Sequence, residues 1–316
     1  MIKSSIISHA MSDVIMGTWQ AGKKYWVGID DDSIRSSIHA ALDHGITTFD
    51  TAPVYGDGHA ESILGNSISR RTEDIFLISK VAPSDCDYSA VINSCEYSLR
   101  RLKREYVDLL LIHWPSGSFN TPNVPIGDTM KALMDLQSKG KVKYIGVSNF
   151  SLEQLVEAHT EGPIDAIQSP YSLFWRHIES SLMDYCKAHG ISILAYSPLA
   201  QGLLTGRFKR GHSFERGDHR KRNLLFKPHL EKAVHQSLSK LEMLASSKHC
   251  SMAQLALAWL LSKPSVFPVV GSRNPEQTID NAQSVQIRLS DEDIESLNTA
   301  SDAVIQHLDQ NPILWR

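Results

Sequence analysis

The sequence predicts one (β/α)8 barrel, a single domain spanning residues 1–316. Two patterns point to it, and one absence excludes its rival. Short apolar runs rich in β-branched residues recur eight times, each followed by a stretch with helical spacing, at roughly 25–40 residues per unit. Ionisable and polar residues repeatedly stand at the C-terminal ends of those runs. A doubly wound open sheet would carry a Gly-rich GxGxxG turn after its first strand, and none is present.

In chain order, residues 1–12 read as a short N-terminal lead, expected as a hairpin closing the bottom of the barrel. Val14–Trp19 is the first strand. Ile34, Ile38, Ala41 and Leu42 share one face of a helix from Asp30 to His44, with Gly45 as its stop. Gly45–Phe49 is the second strand and ends at Asp50; Pro53 and Gly56 then break the chain into a loop that carries Tyr55. Ala60–Ile68 is helical. Ile75–Ser79 is the third strand, followed by Lys80, and Tyr88–Leu102 is its helix. Val107–Ile112 is the fourth, followed by His113. A Pro/Gly/Ser/Asn-rich loop covers Pro115–Pro125, before a helix over Met130–Ser138. Tyr144–Val147 is the fifth strand, and Ser151 with Gln154 forms a capping box for the next helix. Asp165–Ile167 leads to Gln168, a helix over Ile178–Ala188 stops at Gly190, and Ile191–Ala195 leads to Tyr196. A long loop follows, its segment 200–228 reading as a cofactor loop. Two helices, Leu230–Ser247 and Met252–Leu261, precede the eighth strand, Val266–Val270, whose tip is Gly271-Ser272-Arg273. Pro275–Gln283 and Asp291–Asp302 are helical, and 304–316 is a tail, with Leu314 and Trp315 either folding over the pocket or docking elsewhere.

Composition narrows the function class. A net charge of −3 gives no pull toward nucleic acid or a membrane surface. No apolar run reaches the ~18 residues a membrane helix needs, and the N-terminus lacks a secretory pattern. Cys86, Cys95, Cys186 and Cys250 show neither CxxC nor metal-ligand spacing, which suggests a reducing, cytoplasmic setting with buried thiols. A metal-dependent hydrolase would need clustered His/Asp ligands at the strand tips. Only His113 and Asp50 qualify, and Lys80 would oppose a cation beside them, so no metal is expected. Nothing in the sequence reports an oligomeric state.

Asp50, Tyr55, Lys80 and His113 thus sit at or just beyond the tips of three successive strands. In a barrel these tips share one rim. An Asp–Lys salt bridge beside a packed Tyr is the plain alternative for the same residues. The sequence resembles the aldo-keto reductases in six motifs that occur in that family's order: Asp50-Thr51-Ala52 with Tyr55-Gly56, Ser79-Lys80, Ile112-His113-Trp114-Pro115, Gly146-Val147-Ser148-Asn149-Phe150, and Tyr196-Ser197-Pro198-Leu199, with Gln201–Arg207 as a Gly-rich loop. The resemblance runs from Gly17 to Asn281, with potassium-channel β subunits resembled more distantly.

The resemblance implies reduction of an aldehyde or ketone with Tyr55 as proton donor. A free phenol is a poor acid, with a pKa of about 10, and a nearby Lys80 ammonium would lower it. Asp50 would hold Lys80 charged, and His113 would orient the carbonyl oxygen. The resemblance also implies a nicotinamide cofactor across the rim. Gly17, Thr18, Trp19 and Asp50 belong to that site. Ser148, Asn149 and Gln168 would bond the carboxamide, and Tyr196 would stack on the ring with Ser197 and Leu199 alongside. Gly202, Arg207 and Arg220 would contact the phosphates. Asn149 as a helix cap and Tyr196 as packing are the alternatives. Most other charges of residues 207–227 read as a solvated loop face. Gly271, Ser272 and Arg273 open a helix whose N–H groups favour an anion, and no acidic residue stands there to take a ribose 2′-hydroxyl, which argues for NADPH. Gln277 and Asn281 match adenosine contacts, or are exposed polar positions one turn apart. Trp19, Tyr55, His113 and Trp114, with the region after Phe174, are the candidate substrate walls. The partner is a small carbonyl compound. The competing function is an NADPH-binding sensor or auxiliary subunit with slow turnover.

Overall fold

The computed structural model describes residues 6–24, 26–69 and 75–308. Its eight strands are all parallel and close on themselves in sequence order. They are β1 (Ile15–Gly17), β2 (Thr48–Asp50), β3 (Phe76–Val81), β4 (Val107–Ile112), β5 (Val142–Ser148), β6 (Ala166–Pro170), β7 (Ser192–Tyr196) and β8 (Val266–Gly271). The helices are α1 (Asp31–Asp43), α2 (His59–Ile68), α3 (Tyr88–Leu102), α4 (Ile126–Ser138), α5 (Leu152–Glu161), α6 (Ser181–His189), α7 (Pro228–Ser247), α8 (Met252–Leu261), α9 (Pro275–Gln283) and α10 (Asp291–Ile305). None of the helices described is long and apolar enough to cross a membrane.

Side-chain parity decides what faces the barrel axis, because successive strand residues point to opposite faces. Ile15, Phe76 and Ile78, Leu109 and Leu111, Ala166, Leu194, Phe267 and Val269 pack together as the inner core. The alternate residues, such as Leu77, Leu110, Ile145 and Val270, join a second core shared with the helices. Two residues further along the same parity stand Gly17, Asp50, Lys80, Gln168, Tyr196 and Gly271. The register sets Gly17 opposite both Asp50 and Gly271, while Lys80 stands two residues beyond the β3 partner of Asp50 and Tyr196 two beyond the β7 partner of Gln168, the stagger of a tilted barrel. Lys80 therefore lies within β3, not beyond it.

The helices start and stop where local chemistry directs. Ser151 and Gln154 form the expected capping box of α5, and Ser251 with Gln254 forms another on α8. Asp30 and Asp87 cap α1 and α3 with their carboxylates. α8 is buried on nearly every side, from Met252 to Leu260, between β8 and the outer helices.

The expected N-terminal hairpin is absent from the described residues. Ile6–His9 is a 3-10 turn, and Ile7 and Met11 join the inner core. A single apolar turn is enough to close the barrel floor, because Ile7 is fully buried there. The tail beyond Leu308, with Leu314 and Trp315, lies outside the described residues. Ile7→Ala is expected to lower the free energy of unfolding by about 2–5 kcal/mol, as other buried Ile truncations do. Urea denaturation measures it, and a loss below about 0.5 kcal/mol would show that this turn does not carry the floor.

Candidate active site

The rim residues converge on one buried ion pair. Lys80 Nζ donates to both carboxylate oxygens of Asp50 at 2.8 Å, to the Thr51 carbonyl at 2.9 Å and to the Tyr55 hydroxyl at 3.2 Å. Both members of the pair are buried. Those contacts use all the donors an ammonium has. Asp50 is held from two further sides: Gln168 Nε2 donates to Oδ2 at 2.8 Å, and its carbonyl accepts from the Thr18 amide and hydroxyl.

Tyr55 is positioned by backbone contact between two loops. The loop after β1 and the loop after β2 touch at Gly22 and Gly56, where a Cβ on Gly22 would lie 2.5 Å from the Tyr55 carbonyl carbon. No other residue type fits that approach. The Tyr55 ring then lies edge-on to His113 at 5.8 Å.

The electrostatics differ from the sequence expectation in one respect. Burial, and then the Asp50 carboxylate, push the Tyr55 pKa well above its ordinary value, outweighing any lowering by Lys80. Burial also lowers Lys80, with Asp50 opposing it. The resting phenol is therefore protonated, the form a proton donor requires. Burial and the Lys80 charge push His113 well below the usual imidazole range, so it is neutral at physiological pH.

A second polar chain runs from β4 to β7. Asn149 has a left-handed backbone, and its Nδ2 donates to the His113 carbonyl and to Ser148 Oγ, both at 3.0 Å. Its Oδ1 accepts from the Tyr196 hydroxyl at 2.8 Å. Asn149 is not the helix cap, since Ser151 fills that role. Tyr196 faces the rim instead of packing in the outer core.

Above the rim lies a cavity of about 940 Å³. Asp50, Tyr55, His113, Trp19 and Trp114 line one part of it. Gly17, Ser148, Asn149, Gln168, Tyr196, Ser197 and Leu199 line its floor and side. Gly202, Arg207, Arg220, Gly271, Arg273, Gln277 and Asn281 line the far part. Thr18 and Ser272 are buried and do not line it; Thr18 holds Asp50 and Ser272 accepts from Asn281 at 3.1 Å. The region after Phe174 is not a wall, because Phe174 and Trp175 are buried in the outer core.

The cationic end of the cavity has the donors an anionic cofactor needs. Arg273 Nη2 is buried with no hydrogen-bond partner, as is Gln201 Nε2. Burial and the nearby Arg220 and Arg207 charges push the Arg273 guanidinium down to about 10. Asp218 is the counter-charge, paired with Arg220 through Nε at 2.9 Å. A buried donor without an acceptor costs free energy that a phosphate oxygen would recover. Gln277 accepts from the Arg273 amide at 3.0 Å, so it and Asn281 face the β8 tip and are not solvent-exposed polar positions.

Sequence reasoning missed several residues here. Residues 207–227 are not simply a solvated face: Asp218 and Arg220 are buried, and Phe208, Phe214 and Phe226 pack edge-on within the loop. Trp26 lies under both Arg220 and Arg273, 5.3 and 5.2 Å from their guanidiniums. An acidic residue does line the far end: Asp280, one turn past Gln277 on α9, accepts from Ser251 Oγ at 2.9 Å. Its i, i+3 spacing from Gln277 was the available signal.

Comparison with known proteins agrees with this architecture. Residues 13–302 match the model of the Aldo/keto reductase family.

The chain belongs to the aldo/keto reductase family.

An aldo-keto reductase of Bacillus subtilis, YhdN, is 34% identical over 306 residues, covering 93% of this chain and 91% of that protein. The NADH-specific methylglyoxal reductase of Escherichia coli is 29% identical over 317 residues, covering 93% and 96%. A probable voltage-gated potassium channel subunit beta of Arabidopsis thaliana is 32% identical over 280 residues, covering 82% and 84%. Among solved structures, glycerol dehydrogenase AKR11B4 of Gluconobacter oxydans superposes with a TM-score of 0.85 at 32% identity, covering 96% of this chain and 94% of the other. An aldo/keto reductase of Klebsiella pneumoniae in complex with NADP and acetate gives 0.75 at 27% identity, covering 97% and 95%. The single-domain barrel is that of these reductases.

The depressed His113 pKa has a consequence for stability. Unfolded, the imidazole takes up a proton near pH 6.5; folded, it does so only at lower pH. The unfolded state then binds more protons, so stability falls as pH drops through 6.5, by up to about 1.4 kcal/mol per pH unit. Urea unfolding of wild type and His113→Gln at pH 7 and pH 5 isolates this component. A wild-type loss on acidification no larger than the variant's would mean that His113 titrates normally.

Proposed function

We propose that this aldo-keto reductase reduces an aldehyde or ketone to the alcohol with NADPH as hydride donor and Tyr55 as proton donor. The observation that carries the reading is the Asp50–Lys80–Tyr55 contact set, with a protonated phenol opening into a large cavity beside a neutral imidazole. A carbonyl oxygen placed between Tyr55 and His113 receives a hydrogen bond from each. As negative charge develops on that oxygen, the phenol proton moves to it. The Lys80 ammonium then stabilises the phenolate left behind, an interaction that strengthens only as the reaction proceeds. The bound nicotinamide supplies the hydride. Asn149 and Gln168 line the floor, where they would bond the carboxamide, and Tyr196 offers its ring as a stacking face.

Arg273 supports NADPH over NADH. Its unpartnered Nη2 and its two cationic neighbours suit a further phosphate, while the Asp280 carboxylate is engaged by Ser251. The NADH-specific relative shows that members of the family differ here, so the preference is a property to be measured on this chain. The substrate class extends from methylglyoxal, on which two Escherichia coli relatives act by name. The buried thiols Cys86, Cys95 and Cys186, each pushed up to about 12 by burial, suit a reducing cytoplasm and no catalytic role. A second reading, a cofactor-binding auxiliary subunit, draws on the Arabidopsis relative. Steady-state turnover against aldehydes separates the two.

Tyr55→Phe should reduce kcat by about 10²–10⁴ while NADPH affinity stays within a few-fold. Full turnover in that variant would end the assignment of the proton donor. Arg273→Ala should weaken NADPH binding by about 10–100-fold, the range for a hydrogen bond to a charged group, with much less change for NADH. Fluorescence titration reads both, and wild-type protein that binds NADH more tightly than NADPH would overturn the cofactor preference.

A further inference from the structure

A second buried carboxylate stands behind the Lys80–Asp50 pair, on the outer face of β3. Glu61 is the third residue of α2 and is fully buried. Its Oε1 accepts from Ser79 Oγ at 2.8 Å, and its Oε2 accepts from Arg101 Nε at 2.6 Å. Ser79 is itself fully buried. It precedes Lys80 on β3 and, by strand parity, points to the helices while Lys80 points to the axis. Arg101, near the end of α3, is partly exposed, so the ion pair reaches from the strand into the outer layer of the barrel.

The chain from Tyr55 to Glu61 is short and bonded to itself. The Gly56 carbonyl accepts from the His59 amide at 3.0 Å, and the Tyr55 carbonyl accepts from the Ala60 amide at 3.2 Å. Gly58 closes this turn with a left-handed φ of 88°, and Arg101 lies against it: a Cβ there would be 2.4 Å from Arg101 Cδ. One helical turn past Glu61, a Cβ on Gly65 would lie 2.5 Å from the Arg101 carbonyl oxygen, so α2 and α3 meet backbone to backbone. A carboxylate is a costly way to fill such a position, since the desolvation of a buried ion offsets most of its attraction and an apolar side chain would serve stability as well. What the carboxylate adds is direction. It fixes the start of α2 through two hydrogen bonds, and the Tyr55 hydroxyl at the other end of the turn meets Lys80 Nζ at 3.2 Å, the long limit of an ordinary hydrogen bond.

We propose that Glu61 is a positioning residue for the proton donor: by tying the start of α2 to Ser79 on β3, it sets the Tyr55 hydroxyl against the Lys80 ammonium. The inference rests on the reading of Tyr55 as proton donor for its effect on turnover, but not for its effect on geometry. Glu61 itself touches neither the cavity nor the reacting atoms and acts through Tyr55.

The experiment measures kcat with methylglyoxal and the NADPH Kd in Glu61→Ala, Glu61→Gln and Ser79→Ala, each alone and in the Tyr55→Phe background. Glu61→Ala should lower kcat by about 10–100-fold, the scale of a ~1 Å misplacement, while the NADPH Kd stays within about twofold. Glu61→Gln accepts from Arg101 and donates to Ser79 Oγ, so it should keep at least about half of the wild-type kcat. Ser79→Ala leaves the Glu61–Arg101 ion pair in place and should lose about 3–10-fold in kcat, which decides the matter where Glu61→Ala does not fold. In the Tyr55→Phe background neither Glu61→Ala nor Ser79→Ala should lower the residual turnover further, because the group they position is gone. An unchanged kcat in Ser79→Ala, a Glu61→Gln protein as slow as Glu61→Ala, or a further loss in the Tyr55→Phe background overturns the proposal. A wild type that reduces no aldehyde with NADPH refutes the carbonyl-reductase reading instead. Crystal structures of wild type and Ser79→Ala then still decide Glu61: a Tyr55 Oη to Lys80 Nζ distance that opens beyond about 3.5 Å in the variant supports its role, and an unchanged distance refutes it.

Discussion

A buried ammonium–carboxylate pair is the constraint from which this site follows. Lys80 and Asp50 cannot be dry and charged singly; each requires the other. Once paired, the ammonium has donors left over, and they fix the Thr51 carbonyl and the Tyr55 hydroxyl. Asp50 likewise has acceptor capacity to spare, and Gln168 uses it. One ion pair thereby orders groups from β2, β3 and β6 and from the loop after β2. Such a pair contributes little net stability, so its justification lies in what it holds in place.

The barrel makes that pair possible by parity. Residues 76, 78 and 80 of β3 face the axis, the first two sealing the inner core and the third carrying charge above it. The dry layer below excludes water from the ion pair, and the cavity above admits a reactant. Stability and chemistry thus share each strand but occupy different levels of it. The same division explains the 3-10 turn at Ile7: the floor needs only apolar volume.

What the sequence revealed and what it hid follow from range. Strand tips are local: a β-branched run ending in Asp50, Lys80 or His113 announces itself, as does the Ser151–Gln154 cap. The limits of α3, α8 and α9 agree with their apolar or capping pattern. Asp218 reads as solvated because charge density in a loop ordinarily means exposure; its burial follows from its pairing with Arg220, whose guanidinium lies against Trp26, Phe208 and Phe214, rings that only the fold brings there. The sense of the Tyr55 pKa shift was hidden for the same reason. A sequence shows which charges are near, but not how much water has been removed.

The two parts of the cavity therefore do opposite electrostatic work. Around Tyr55 and His113, burial keeps both groups neutral, so a polar but uncharged reactant enters without loss of solvation to a fixed ion. Around Arg207, Arg220 and Arg273, three guanidiniums outnumber the Asp218 and Asp280 carboxylates, and the imbalance suits an anion. A molecule with a neutral reactive ring at one end and phosphates at the other would satisfy both at once. The contrast between the two parts would favour a dinucleotide without the Gly-rich turn of an open sheet. Under the proposed reading, side chains from strand tips and the β7–α7 loop would do the work that a helix dipole and close backbone approach do in that other fold.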